Sequence, residues 1–240
     1  IRGHDAHDST SLPDAAAASG TARTIGVPRK ALAEGMDPGM LACFEASIAQ
    51  LAAQGYEIRD IELPSLQYAL AIYYIINPAE VSTNLARFDG IRYGTSHDAP
   101  TIGETYRKNR GLGFGPETRR RVLVGTFVLS AGYSDAYYRK ARAAREMLRA
   151  DFARALSEVD AIALPTSPVP PWKFGDKHDP VAMYAADIFT VPLNLSGLPG
   201  MSVPSGYVER EGKKLPVGFQ LIGGHRREAI ILSIGEALEA

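Results

Sequence analysis

The chain has 240 residues, 45% of them hydrophobic and 22% charged, with a formal net charge of -1. That length and apolar content suffice for a sizeable core, so a soluble globular class is expected. The near-neutral charge excludes a general attraction to nucleic acid or to an anionic membrane surface, and no apolar run reaches the ~18 residues of a bilayer span.

In chain order, residues 1–22 read as a loop with an alanine-rich stretch at Ala15–Ala18. The chain starts on Ile1 rather than Met and stops at Ala240 inside a helical pattern, as two cut ends or a processed mature chain would. Thr24-Ile25-Gly26-Val27, closed by Pro28, is a short buried strand. Asp37 and Pro38 then open a helix, as N-cap and first helical residue. Its apolar positions Met40, Leu41, Phe44, Ile48 and Leu51 recur at helical spacing, and Gly55 ends the pattern. Cys43 lies on the apolar side of that helix. A lone cysteine offers neither an internal disulfide nor a zinc cluster, so packing is its expected role, and a reducing compartment fits.

A strand around Tyr56, Ile58 and Ile61–Leu63 completes a βαβ-like unit, which favours an α/β class. Ser65 to Phe88 is predicted helical, interrupted near Pro78. Pro116 to Glu158 is a long helical stretch with Gly125 and Gly132 as bends or breaks. Arg139, Lys140, Arg142, Arg145 and Arg149 make a solvated face there, because acidic residues are interspersed. Asp160–Leu164 is a buried strand closed by Pro165, followed by a Pro-rich loop to Pro171. Pro180 to Phe189 is a short helix. Met201–Val203 and Val217–Ile222 form a hairpin around Tyr207–Lys214, and Arg226 to Leu238 is a final amphipathic helix. The expected fold is α/β, a mixed β-sheet flanked by helices, in one domain without repeats or a linker.

His4, His7, His97, His178 and His225 are scattered, and no pair has the i, i+4 spacing of a helical metal site. His4 and His7 share a loop with Asp5 and Asp8, but no metal is expected. The glycines at 197, 200, 223 and 224 match neither a dinucleotide fingerprint nor a phosphate-binding loop with its lysine.

Six stretches carry a family resemblance. They are Gly3-His4-Asp5 with Asp8-Ser9-Thr10-Ser11; Tyr73-Tyr74-Ile75-Ile76 and Pro78-Ala79-Glu80 leading into Ser82-Thr83-Asn84-Leu85-Ala86-Arg87-Phe88-Asp89-Gly90-Ile91-Arg92-Tyr93-Gly94; and Gly113-Phe114-Gly115, Arg120-Arg121 and Gly125-Thr126-Phe127 with Gly132-Tyr133-Ser134-Asp135-Ala136-Tyr137-Tyr138. The others are Pro165-Thr166-Ser167-Pro168; Met183-Tyr184 and Asp187 with Val191-Pro192-Leu193-Asn194-Leu195-Ser196-Gly197-Leu198-Pro199-Gly200-Met201-Ser202-Val203-Pro204; and Leu215 to Gly223. In this order the chain resembles the amidase-signature enzymes. The stretches around Asn84–Gly90 and Gly132–Tyr138 are similar to those of the A subunits of tRNA-dependent amidotransferases.

The resemblance implies an incomplete amidase-signature fold: residues 1–240 as the C-terminal part of a single amidase domain, without the region of the catalytic serine. In that family a serine attacks an amide, activated by a second serine and a lysine, and backbone N–H groups stabilise the oxyanion. This sequence has no Ser-Ser dipeptide and no matching Gly/Ser-rich loop, so no catalytic residue is assigned. Ser167, Ser196 and Ser202 are read as packing residues, and this chain alone is expected to be inactive. The substrate side remains. Glutamine presents an ammonium and a carboxylate, and the family motifs align Asp187 with the first, Arg121 with the second, and Tyr73 with the pocket wall. Arg120 is the alternative to Arg121.

The resemblance further implies a cytoplasmic glutaminase subunit partnered by amidotransferase B and C subunits. Ammonia would pass to the B subunit, which would hold ATP and Mg and contact most of the tRNA, converting Glu-tRNA(Gln) to Gln-tRNA(Gln) or Asp-tRNA(Asn) to Asn-tRNA(Asn). The alternatives are another amidohydrolase of the same superfamily and a non-catalytic, truncated scaffold.

Overall fold

In the computed structural model, β1 (Thr24–Val27) forms where the apolar run predicts it, with Ile25 and Val27 fully buried. The structure describes residues 4–9, 11, 22–32, 35–176 and 183–239. The alanine-rich stretch, His178 and the start of the expected helix at Pro180 lie outside the described residues. A four-residue helix α1 (Arg29–Leu32) precedes α2 (Pro38–Ala53). The Asp37 carboxylate accepts the N–H groups of Gly39 at 2.8 Å and Met40 at 3.2 Å, filling two of the donors that a helix start leaves open. Met40, Phe44, Ile48 and Leu51 are buried, and β2 (Glu57–Asp60) follows.

The chain then becomes helical. A 3-10 turn at Pro64–Tyr68 leads into α3 (Ala69–Asn84), then come α4 (Ile102–Gly113) and α5 (Pro116–Leu129). A π-helical segment at Ser134–Arg139 joins α6 (Lys140–Glu158). Three expectations change here. Pro78 does not interrupt α3, although a proline removes one ladder hydrogen bond; its carbonyl lies close against Gly125 of α5. Gly125 lies inside α5 rather than at a bend, whereas Gly132, at φ +83°, does mark the break after α5. Helix α4 is not among the expected elements. Thr101 and Glu104 close a reciprocal capping box at its start, a four-residue signature that the sequence does contain.

Sheet structure resumes with β3 (Ala161–Pro165), buried at every position. Helix α7 (Val191–Ser196), β4 (Gly200–Arg210), β5 (Lys213–Gly223) and α8 (Glu228–Glu239) complete the described chain. The β4–β5 hairpin is longer than expected and turns through Glu211 and Gly212, both at positive φ (49° and 71°). That is the geometry whose twist suits a two-residue hairpin.

The strands align in the order β2-β1-β3-β5-β4. Strand β1 is parallel to β2 and β3, while β5 is antiparallel to β3 and β4, so the sheet is mixed, as expected. Phe44 of α2 stacks on Phe219 of β5 with ring centroids 5.2 Å apart. Cys43 packs against the cluster of Met40, Val208 and Val217, in line with its expected packing role. The chain divides into a sheet unit, Ile1–Leu63 with Phe152–Ala240, and a helical unit, Pro64–Asp151.

Candidate functional site

The helical unit places Tyr73, Asn77 and Glu80 along one side of α3, and Glu117, Arg121 and Gly125 along one side of α5, by the 3.6-residue period. These sides meet closely because position 125 has no side chain. A Cβ there would stand 1.9 Å from the Pro78 carbonyl oxygen and 2.8 Å from Ser82 Cβ. The two helix backbones therefore touch near Pro78, and side chains one turn away reach across.

Arg121 is the side chain that reaches. Its Nη1 donates to Asn77 Oδ1 at 3.1 Å, and its Nε donates to Glu117 Oε1 at 2.9 Å. Its guanidinium carbon lies 5.8 Å from the centre of the Tyr74 ring, and Tyr74 meets Tyr73 edge-on at 5.1 Å. Burial works against the guanidinium's charge, but hydrogen bonds and charge interactions with Glu117 and Tyr73 outweigh it, so its pKa is raised above the ordinary arginine value. Arg120 also donates to Glu117, through the other carboxylate oxygen. Two guanidinium groups thus share one carboxylate. The Arg120 side chain is 49% exposed and that of Arg121 26%; of the two, Arg121 is the one turned to Tyr73, Tyr74 and Asn77.

Further along α3, Tyr138 Oη donates to Glu80 Oε1 at 2.6 Å. That hydrogen bond, aided by burial, raises the Tyr138 pKa.

Asp187 belongs to the sheet unit, at the end of a 3-10 turn, Ala185–Asp187. It is exposed, and its carbonyl accepts the backbone N–H of Thr190 at 3.0 Å. Two residues on, buried Phe189 is tied to the sheet by Gln220 of β5, whose Nε2 donates to the Phe189 carbonyl at 2.9 Å. The structure therefore brings Tyr73 and Arg121 together and describes Asp187 in the other unit. Asn77 and Glu117 hold Arg121, Gln220 anchors the backbone two residues from Asp187, and the sequence alone does not single them out. Asn77 and Glu117 lie at i+4 from Tyr73 and i-4 from Arg121, a spacing that flags them once the helices are paired.

The serines left out of the chemistry have local partners. Ser202 Oγ and Thr166 Oγ1 are hydrogen-bonded at 2.6 Å, Ser167 Oγ donates to the Val169 carbonyl, and Ser196 Oγ donates to the Leu193 carbonyl. Among the described residues no group of three His, Cys, Asp or Glu side chains could hold a metal ion, and no helix is long and apolar enough to cross a membrane. A hollow of about 380 Å³ in the helical unit is lined by Phe88, Tyr93, His97, Asn109 and Phe114, among others, and includes neither Tyr73 nor Arg121.

The amidase family model matches residues 1–232. The A subunit of the glutamyl-tRNA(Gln) amidotransferase of Acidobacterium capsulatum is 49% identical across the whole chain, which covers 52% of that protein. Its counterpart of the same name from Chloroflexus aggregans is 47% identical across the whole chain, which covers 50% of it. The chain spans about half the length of the curated relatives it matches. Among solved structures, the A subunit of the glutamyl-tRNA(Gln) amidotransferase of Thermotoga maritima superposes with a TM-score of 0.72 at 33% identity, covering 99% of this chain and 48% of that one.

Proposed function

This chain belongs to the amidase family, and from that premise we propose that it is the glutamine-recognising part of the glutaminase subunit of a tRNA-dependent amidotransferase. The observation that carries the reading is the state of Arg121: partly buried, held by contacts from two helices, and paired with a carboxylate, Glu117, that it shares with Arg120, so that positive charge is left over. A planar fork held in this way suits bidentate recognition of a carboxylate. The name of the relatives, glutamyl-tRNA(Gln) amidotransferase, supports the amidotransferase class; glutamine as the amide donor is part of the proposal.

In this reading Arg121 receives the α-carboxylate of glutamine and Tyr73 lines its pocket, and the family motifs align Asp187 with the α-ammonium. The serine, its activating serine and the lysine come from the remainder of the amidase domain. The serine attacks the side-chain amide and releases ammonia, and water frees glutamate from the acyl-enzyme. The ammonia passes to a B subunit, which uses ATP and Mg to amidate Glu-tRNA(Gln) or Asp-tRNA(Asn) and makes the main contacts with tRNA. A C subunit joins the two, and the assembly works in the cytoplasm.

The test is kinetic, in the whole amidase with its partners. Asp187→Asn keeps the shape and removes the anion. Losing a charge-assisted hydrogen bond costs roughly 1.5–3 kcal/mol, so kcat/KM for glutamine should fall about ten- to a hundred-fold. The fall should be much smaller on the des-amino amide, which has no ammonium to bind. Equal losses on both substrates would mean that Asp187 supports structure only, and would overturn its assignment.

A further inference from the structure

Resting on the glutamine reading, we propose that Asn77 is a positioning residue that sets glutamine affinity by fixing the plane of the Arg121 guanidinium. The contacts that Glu117 and Asn77 make with that group differ in kind. Glu117 is one turn from Arg121 on the same helix and holds Nε, so it moves with the arginine. Asn77 sits on α3 and holds Nη1 from across the helix pair. The bond to Nε restrains the inner edge of the group; the bond on Nη1, from a different backbone and beside the Tyr73 contact, restrains its outer end. Bidentate binding needs both carboxylate oxygens in the plane of the fork, so it gains from a plane set in advance.

The neutrality of Asn77 matters as much as its position. An amide oxygen orients the guanidinium without cancelling its charge, and Glu117 is already divided between Arg120 and Arg121. A carboxylate at position 77 would have the same shape and could accept the same hydrogen bond. It would, however, place a second anion where the substrate's carboxylate must arrive. Geometry and charge therefore separate at this one residue. Asn77 also lies one helical turn from Tyr73, on the same side of α3.

The experiment compares Asn77→Ala, Asn77→Asp and Arg121→Lys in the whole protein with its partners. Each is assayed with glutamine and with 4-aminobutanamide, which keeps the amine and lacks the carboxylate. Asn77→Ala should raise KM for glutamine about ten-fold and leave kcat within about two-fold, with little change on 4-aminobutanamide. Asn77→Asp should raise KM at least as far although it is isosteric, and it keeps the test decisive should the alanine variant fold poorly. In an Arg121→Lys background, Asn77→Ala should add little, because the fork it positions is gone. If Arg121→Lys raises KM for glutamine while both Asn77 variants behave as wild type, the inference is overturned and the carboxylate reading stands. If Arg121→Lys itself leaves KM unchanged, the carboxylate reading falls. Equal losses on both substrates from Asn77→Ala would make Asn77 structural and overturn the proposal.

Discussion

The sheet unit and the helical unit are held together differently. In the sheet unit Ile25, Ile162, Leu164, Phe219, Leu221 and Ile222 are fully buried, and β3 is covered at every position. The helical unit holds most of the exposed large hydrophobic side chains found among the described residues, such as Ile91, Leu112, Leu123 and Phe127. Beside a smaller apolar core that includes Leu66, Ile72, Ile76 and Leu148, it fastens its elements with polar side chains. Asn109 exchanges hydrogen bonds with the backbone of His97 in both directions, Arg110 Nη1 donates to the carbonyls of Leu85 and Phe88, and Tyr138 reaches Glu80. Apolar burial is strong and undirected, while hydrogen bonds are weaker in net terms and directional. Both units use directional contacts, but in the helical unit, which carries Arg121, they stand beside a larger share of exposed apolar side chains.

The largest test of this contrast is in the sheet unit. Phe219→Ala removes a fully buried ring stacked on Phe44. A loss of roughly 3–5 kcal/mol is expected, seen as a lower urea midpoint and Tm of the whole protein. A loss below about 1 kcal/mol would mean that the sheet is not the main store of stability.

The next largest is in the helical unit. Gly125→Ala would press a methyl group onto the Pro78 carbonyl, a backbone atom that cannot step aside. The helices must part, at a cost of about 1–3 kcal/mol. The change should also stretch the 3.1 Å contact between Arg121 and Asn77, so KM for glutamine should rise along with the loss of stability. Phe219→Ala should lower stability without that rise. Unchanged KM in Gly125→Ala would break the link drawn between helix spacing and the site.

The same contrast decides what can be read from sequence. Strands β1 and β3 and helix α2 are legible because each joins an apolar pattern to a local stop or cap: Pro28, Pro165, and Asp37 with Pro38. Helix α4 is not, since it exposes Ile102 and Leu112 and so lacks a clean apolar face; its capping box is the better signal. Helix α3 continues through Pro78 and α5 through Gly125, and the two positions, 47 residues apart, meet in one close contact. No local pattern reports it. For the site, motif likeness singles out Tyr73 and Arg121 but leaves Arg120 as an alternative. Neighbours on a helix point about 100° apart, and only pairing with α3 distinguishes which one turns inward.

A smaller effect separates cap from core within the sheet unit. Burial pushes the Asp37 carboxyl upward, but the Arg210 guanidinium and the N–H groups of Met40 and Gly39 hold it below its ordinary value of 3.8. A depressed carboxylate contributes stability that is fully present above its unfolded pKa and is lost as pH falls through the folded one. Asp37→Ala should therefore cost about 1 kcal/mol near neutral pH, and the gap to wild type should narrow once pH drops below 3.8. Asp37→Asn keeps a capping side chain and loses the ion pair, so its cost should be smaller. Thermal melts across pH check both; a gap that persists unchanged in acid would show that the charge on Asp37 does not contribute.

The smallest effect has the opposite sign and bears directly on how the helical unit is built. Gly111 lies within α4, and a Cβ added there meets nothing within 4 Å. Its carbonyl accepts from Arg119, a backbone contact that a new methyl group leaves intact. Glycine in a helix interior costs conformational entropy relative to alanine, so Gly111→Ala should stabilise by roughly 0.5–1 kcal/mol. The identical substitution at Gly125 should destabilise, because there the missing side chain is what lets two backbones touch. Both glycines sit in helices of the same unit, so helix propensity alone predicts the same sign for the two variants. Opposite shifts in Tm would show that close helix contact, rather than helix propensity, governs the face that carries Arg121. Stabilisation by both variants would mean that α3 and α5 do not need their close approach, and the account of how Arg121 reaches Asn77 would fail with it.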